Sequence, residues 1–268
     1  NITGWNSSYT GEPIPAEEMR EWVDQTVSRI QALSPDRVLE IGCGTGLLLL
    51  RIAPHCTTYT GTDFSDTALS SLENYIKKRR DLSHVTLYSG SAEETGFLED
   101  NNIDTVILNS VAQYFPGMDY LFKVIEALVK TVKRGGAIFL GDLRCLPLFE
   151  TFHTSVLLHK AENDMSLDEL RLLIKQSISE EKELVIHPEF FTMLKEHLPA
   201  IGRVDIAPKR GEYCNELSLF RYDVTLHIGT KQQMDEDIEW VVWNDSRDLE
   251  DKLKSHGKSY EETNGFRG

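Results

Sequence analysis

The run Val38-Leu39-Glu40-Ile41-Gly42-Cys43-Gly44-Thr45-Gly46, "VLEIGCGTG", decides how the rest of this chain is read. A short apolar run, glycines at alternate positions and then "LLLLRIA" predict a strand, a tight turn and the start of a helix. A turn of this kind lets backbone approach a ligand closely. Its spacing narrows the ligand. A dinucleotide fingerprint is G-x-G-x-x-G, with a pyrophosphate at the helix N-terminus. Here the spacing is G-x-G-x-G, Glu40 stands two residues before the first glycine, and Leu47 and Leu48 occupy the place of a phosphate-loop lysine.

Outward from this loop, strand-like runs at 37–41, 57–62, 85–89, 105–109 and 137–142 alternate with helical spacing at 46–53, 66–79 and 120–132. That alternation predicts a parallel sheet covered on both faces. Ahead of it, Met19, Trp22, Val23, Val27, Ile30 and Leu33 recur at three- and four-residue steps, an amphipathic helix over 16–33. Residues 1–17, with Gly4, Gly11, Pro13 and Pro15, read as irregular. After Arg144 the pattern turns helical at 146–160, 167–181 and 188–197, which predicts a helical cap. Two late strands follow at 203–207 and 219–228. In the second, Phe220, Tyr222, Val224, Leu226 and Ile228 alternate on one face, as an antiparallel edge strand would. The expected fold is therefore α/β and Rossmann-like, mostly parallel with an antiparallel edge. It divides into an N-terminal lid segment and helix (1–34), a cofactor-binding core (35–145), the cap (146–200), the final strands (201–229) and a charged tail (230–268) that wraps the surface.

The short loop suits a ligand without a pyrophosphate, and a carboxylate beside it suits an ammonium group. S-adenosylmethionine has an ammonium, a sulfonium and no phosphate. A second anchor is expected at the end of the next strand, where Asp63 closes "YTGTD" 21 residues after Gly42. A carboxylate there accepts two charge-assisted hydrogen bonds from a ribose cis-diol. Phe64 is expected over the adenine ring, Ser91 and Ala92 at the adenine edge, and Asn109 and Ser110 at the end of the fourth strand. The alternative is that Gly42, Gly44 and Gly46 only make a turn and Asp63 only caps a helix. Glycines, Glu40, Cys43 between them, a spaced Asp63 and alternating strands together favour S-adenosylmethionine, leaving S-adenosylhomocysteine as product.

Bulk properties bound the partners. A net charge of −15 repels phosphate backbones and argues against nucleic acid. No window approaches the roughly 18 apolar residues of a membrane span. Cys43, Cys56, Cys145 and Cys214 are far apart and read as reduced thiols of a cytoplasmic protein. No His/Asp/Cys triplet has metal-ligand spacing, so no metal is expected. The charge runs at 77–80 and 180–183 read as solvated helix faces. Beginning at Asn and ending after "NGFRG", the chain reads as a piece of a longer polypeptide.

Six segments carry a more specific signal: "GWNSSYTGEPIPAEEMREW", "VLEIGCGTGLLL", "YTGTDFS", "ILNSVAQYFP", "GDLRCLPLFETFH" and "NELSLFRYDVTLH". Together they resemble the class I methyltransferase domains embedded in polyketide synthases and nonribosomal peptide synthetases, over the length from Gly4 to about Ile228. The resemblance implies S-adenosylmethionine as donor. It also implies an acyl carrier protein presenting substrate on a phosphopantetheine arm, and neighbouring synthase domains in the same polypeptide. Such domains methylate an amide-forming nitrogen or a β-hydroxyl or β-enol oxygen.

The two acceptors ask different things of the site. A free amine needs only its lone pair, whereas an alcohol needs a base. His153 follows "GDLR" by nine residues on the first cap helix, over the ligand-binding edge of the sheet. Glu216 in "YCNELS" precedes the last strand and is expected to orient that imidazole. The "FH" of Phe152-His153 resembles the oxygen-methylating members, so the resemblance favours O-methylation, with N-methylation of an aminoacyl thioester as the alternative. An inactive, cofactor-binding scaffold is a third reading. Cys214 stands where the family commonly has histidine, which matters only if that histidine does chemistry. Tyr9 from the lid, Tyr114 and Arg144 are expected to line the substrate pocket, the alternative being that each is structural and that His153 is a polar residue on the buried face of the cap helix.

Overall fold

Val38 and Leu39 are neighbours on one strand, and both are wholly buried. Successive strand residues point to opposite faces, so this sheet must be covered on both sides. The structure, a computed structural model, describes residues 5–94, 102–162 and 164–229; the tail expected over 230–268 lies outside the described residues. In chain order come α1 (Ala16–Gln31), β1 (Arg37–Ile41), α2 (Leu49–Ile52), β2 (Thr58–Asp63), α3 (Asp66–Ile76), β3 (Val85–Ser89), β4 (Ile103–Asn109) and α4 (Met118–Thr131). They are followed by β5 (Val132–Arg144), α5 (Phe149–Lys160), α6 (Leu167–Ser179), α7 (Glu189–His197), β6 (Ile201–Pro208), α8 (Glu216–Leu219) and β7 (Arg221–Ile228).

The strands form one sheet in the order β3-β2-β1-β4-β5-β7-β6. The first five pair in parallel, and β7 runs antiparallel to both β5 and β6. On one face Leu39, Ile41, Val106, Leu108, Ile138, Leu140, Val224 and Leu226 pack with Leu121, Val124 and Leu128 of α4. On the other, Val38, Tyr59, Ile107 and Phe139 pack with Trp22, Val23 and Ile30 of α1 and with Leu49 and Leu72 of α2 and α3. Period-2 sorting of two apolar sets is what made these strands read as continuous hydrophobic runs. Strand order reverses between β1 and β4, so a crevice opens outside their C-terminal ends.

Three expectations are refined. The antiparallel strand is β7, but β6 lies outside it as the margin; alternation reports which faces are buried, not how many neighbours a strand has. The helix expected over 46–53 shrinks to Leu49–Ile52, because Gly46 sits at φ 84° on one side and Pro54 opens a 3₁₀ turn on the other. The helical stretch read as a single cap divides. α5 and α6 pack on each other, whereas Phe191 and Leu194 of α7 are buried in the sheet core with Val224 and Leu226. The N-terminal stretch is a closed loop, with an antiparallel bridge between Asn6 and Pro13 and the Ser7 N–H donating to the Glu12 carbonyl at 2.8 Å. No helix among the described residues is long and apolar enough to cross a membrane.

Candidate active site

Gly42, Gly44 and Gly46 carry φ values of 74°, 50° and 84°, in the left-handed region that penalises any side chain. The N–H groups of Gly42 and Cys43 both donate to the Thr62 carbonyl, at 2.8 and 2.9 Å, which sews the loop to the end of β2. A Cβ on Gly42 would run into Val111, whereas nothing lies within 4 Å of a Cβ on Gly44. One glycine therefore serves packing and the other exposes bare backbone.

Two carboxylates flank this loop. Asp63 is buried and accepts the Gly44 N–H and the Ser65 N–H, each at 2.8 Å. Both oxygens retain a second lone pair for further donors. Glu40 is buried beside the loop and accepts the Tyr59 hydroxyl at 2.8 Å. Burial pushes its pKa up to about 7, aided by the Asp63 charge and only partly countered by Tyr59. Burial also drives the Cys43 thiol upward, with Glu40 and Asp63 adding to it, which disfavours a nucleophilic thiolate there. Phe64 next to Asp63 is 86% exposed, Ser91 is exposed, and Ala92 is buried.

At the ends of β4 and β5 two non-glycine residues take left-handed backbone, Ser110 at φ 57° and Asp142 at φ 64°. Such residues mark strain held in place by their surroundings, and here the surroundings are a buried ionic network. Asp142, wholly buried, accepts the Ser110 hydroxyl at 2.8 Å, the Trp22 indole N–H at 3.2 Å and the Arg221 guanidinium at 2.5 Å. Its own N–H donates to Asp223 at 2.8 Å. Asp223 in turn pairs with Arg29 at 2.7 Å and Lys209 at 3.0 Å. Asn109 donates to the Ser110 hydroxyl at 3.1 Å, yet its Oδ1 is buried without a partner. An orphaned buried acceptor is costly unless a ligand supplies a donor.

Beside these strand ends opens a cavity of about 560 Å³, lined by Ser8, Phe152, His153, Glu181, Glu216 and Arg221 among others. His153, buried on α5, places Nδ1 2.7 Å from the Ser177 hydroxyl. Its Nε2 has no hydrogen-bond partner and lies 3.8 Å from the Glu181 carboxylate. Burial lowers the His153 pKa, Glu181 works against that, and Arg144 adds to it, so the ring is held neutral. Glu181 is itself pulled below the usual carboxylate range. Burial would raise it, but the Glu183 and Lys182 N–H groups at 3.0 and 2.9 Å and Arg144 at 2.7 Å prevail. Arg144 bonds Glu183 as well, at 2.9 Å, and its guanidinium lies 5.7 and 5.4 Å from the Phe149 and Phe152 rings.

Several expectations are corrected here. Glu216 lines the cavity with His153 but does not pair with it. Its two oxygens are taken by the N–H and hydroxyl of Ser8, each at 2.7 Å, and among the described residues the carboxylate within reach of His153 is Glu181. The run at 180–183 is no solvated helix face. α6 ends at Ser179, and the following loop turns Glu181 and Glu183 inward onto Arg144. Tyr9 leaves the cavity wall to Trp5, Asn6 and Ser8, because its hydroxyl bonds Ser155 of α5 at 2.7 Å and its ring packs edge-on against His159. Tyr114 is 69% exposed on the turn after β4 and stands outside the lining. Cys214 is exposed and likewise outside it. Sequence reasoning missed Ser177, Glu181 and Arg221. The one available signal was Arg144, since a guanidinium at a strand end needs a carboxylate from somewhere.

Comparison with known proteins bears on this arrangement. Residues 39–138 match a family described as a methyltransferase domain. The chain is 50% identical over 254 residues to chondramide synthase cmdD of Chondromyces crocatus, a match covering 94% of this chain and 6% of that protein. It is 36% identical over 250 residues to nonribosomal peptide synthetase asqK of Emericella nidulans, covering 91% of this chain and 10% of that one. The chain thus spans a small part of the curated relatives it matches. Among solved structures, N-methyltransferase NodS from Bradyrhizobium japonicum, in complex with S-adenosyl-L-homocysteine, superimposes with a TM-score of 0.53 at 17% identity. That match covers 78% of this chain and 88% of NodS, and shows the shared fold.

Proposed function

The chain belongs to the class I methyltransferases that use S-adenosylmethionine, and on that footing we propose that it methylates the amine of an aminoacyl group carried as a thioester on a phosphopantetheine arm. The observation that carries this reading is the near-complete match to chains that include a nonribosomal peptide synthetase, covering 91% of this one at 36% identity. A peptide bond is made at an amino group, so an amine is the acceptor that the chemistry of a peptide synthetase puts forward. An acyl carrier protein would bring the substrate, and neighbouring synthase domains would flank this one in the same polypeptide. A cytoplasmic setting, where the four free thiols stay reduced, belongs to the same reading.

The residues present fit the cofactor. Open backbone at Gly44, Asp63 hydrogen-bonded beside it, Glu40 behind it and the orphaned Asn109 Oδ1 offer acceptors for the ribose hydroxyls and the ammonium group. Bound there, S-adenosylmethionine supplies a sulfonium-activated methyl carbon open to in-line displacement. Everything else falls to the chain. The cavity wall orients the acceptor, and alignment supplies much of the rate. An aminoacyl ammonium must lose a proton before it can attack, and the neutral His153 offers its unpartnered Nε2 to take it. Glu181 at 3.8 Å then stabilises the imidazolium.

The same free Nε2 supports a second reading, O-methylation of a β-hydroxyl or β-enol, because an alcohol depends on such a base far more than an amine does. Intact-mass measurement separates the two. Carrier protein loaded with an aminoacyl group should gain one methyl when incubated with enzyme and S-adenosylmethionine. A gain on a β-hydroxyacyl carrier alone would replace the amine by the hydroxyl. No gain on either, with the cofactor bound, would leave an inactive scaffold.

A further inference from the structure

Two guanidiniums stand on the cavity wall, in register on neighbouring strands: Arg144 of β5 opposite Arg221 of β7. Arg144 is spent, being paired with Glu181 and Glu183 and flanked by two phenyl rings. Arg221 is not. Asp142 Oδ2 takes a hydrogen bond from its Nη1 at 2.5 Å, and among the described residues no other hydrogen bond engages this side chain. A guanidinium carries five N–H donors and no acceptor. What meets the remaining donors from the cavity must therefore be an acceptor atom.

We propose that Arg221 receives the carbonyl oxygen of the tethered acyl group, so that the site takes a thioester, whose carbonyl is uncharged, and rejects a free carboxylate. This deepens the function proposed above and rests on it for where the acceptor lies. The charge balance selects carbonyl over carboxylate. Asp142 already matches the Arg221 charge in direct contact, and the charges of Glu183 and Glu216 reach it as well. With Asp142, Glu181, Glu183 and Glu216 set against Arg144, Lys160 and Arg221, a further anion would add to an excess of negative charge, while a carbonyl oxygen brings no net charge. Asp142 is the positioning residue. Wholly buried and held by Trp22 and Ser110, it fixes the direction of the fork. In an aminoacyl thioester the nucleophilic nitrogen sits on the carbon next to that carbonyl, so anchoring the oxygen also restricts the nitrogen.

The test is binding calorimetry on the protein saturated with S-adenosylhomocysteine. Its probes are glycyl-pantetheine thioester, the analogue with a methylene in place of the carbonyl, and free glycine. The wild type should prefer the thioester to the analogue by roughly tenfold to a hundredfold, as a hydrogen bond to a charged group gives, and should bind glycine more weakly still. Arg221→Lys keeps a cation for Asp142 but loses the fork, and should erase most of the thioester preference. Equal affinity for thioester and analogue, or glycine binding as tightly as thioester, would overturn the proposal from the wild type alone. So would a preference that survives in Arg221→Lys. Weakened S-adenosylhomocysteine binding in that variant would assign the guanidinium to the cofactor instead. None of these affinities depends on turnover, so a failure of methyl transfer is read separately.

Discussion

His153 and Glu181 face each other without a hydrogen bond: Nε2 lies 3.8 Å from the carboxylate and has no other partner. Burial lowers the imidazole pKa, and Glu181 is the group that pulls it back up. The base form therefore persists below the ordinary histidine value of about 6.5, and the acid limb of kcat/KM should lie under that pH. Removing Glu181 as Glu181→Gln leaves burial and Arg144 unopposed, so the limb should move to still lower pH. Turnover should also fall by roughly tenfold or more as the imidazolium loses its neighbouring charge. His153→Ala should cost about 10²–10⁴ in rate. A pH–rate profile decides; a limb that rises in Glu181→Gln would remove this pair from the chemistry.

Glu216 is occupied by Ser8, so its substitution should not resemble that of a catalytic partner. Two hydrogen bonds at 2.7 Å tie the N-terminal loop to Glu216 on the cavity wall. Bonds to a charged group contribute about 1.5–3 kcal/mol. Glu216→Gln and Ser8→Ala should therefore raise KM for the carrier-bound acceptor by roughly tenfold, with kcat within a fewfold of wild type and S-adenosylhomocysteine affinity unchanged. Steady-state kinetics with each variant checks this. A fall in kcat as large as that of His153→Ala would restore Glu216 as the partner of the base.

The sheet and the cofactor loop were legible because residue type there dictates backbone. Val38 and Leu39 must be inside, Gly42 must turn, and Asp63 must end its strand. The acceptor site was not. Ser177 and Glu181 reach His153 only because α5 and α6 pack together, and no local periodicity encodes that meeting. Ser8 and Glu216 are separated by 208 positions. An acidic run such as 180–183 looks the same whether it faces water or an arginine. Cys214, the departure from the family pattern, turned out exposed; a single chain cannot tell a lining position from a surface one two residues away.

Gly42 and Gly44 should fail in different ways. At Gly42 an added Cβ meets Val111, so Gly42→Ala combines a left-handed backbone penalty of roughly 1–2 kcal/mol with overpacking of about 1–3 kcal/mol. The melting temperature should drop clearly. At Gly44 nothing lies within 4 Å, so only the backbone term applies and the melt should shift less. The new methyl would instead stand on the open side of the loop, and S-adenosylhomocysteine affinity should fall by tenfold or more, roughly the effect of losing 1.4 kcal/mol. Thermal melts paired with calorimetry separate the two; a Gly44→Ala protein that binds like wild type would place the cofactor elsewhere.

Glu40 should make cofactor binding a proton-linked event. Its pKa of about 7 stands above that of an ordinary glutamate, near 4.3, so the fold favours its protonated form. This group's contribution to stability is present in full below about pH 4 and is lost as pH rises through about 7. Glu40→Gln, which stays neutral, should accordingly melt higher than wild type at about pH 7 and above, with the gap narrowing as pH falls and closing near about pH 4. Binding runs the other way. An ammonium group beside Glu40 favours the carboxylate, so S-adenosylhomocysteine should bind more tightly as pH climbs from about 5.5 to about 7.5. Binding near pH 6 should release up to about one proton, read from the difference in binding heat between two buffers of unlike ionisation enthalpy. Glu40→Gln should abolish both the proton release and the slope. Proton release that persists in the variant would mean that some other group titrates with the ligand and that the ammonium does not lie beside Glu40.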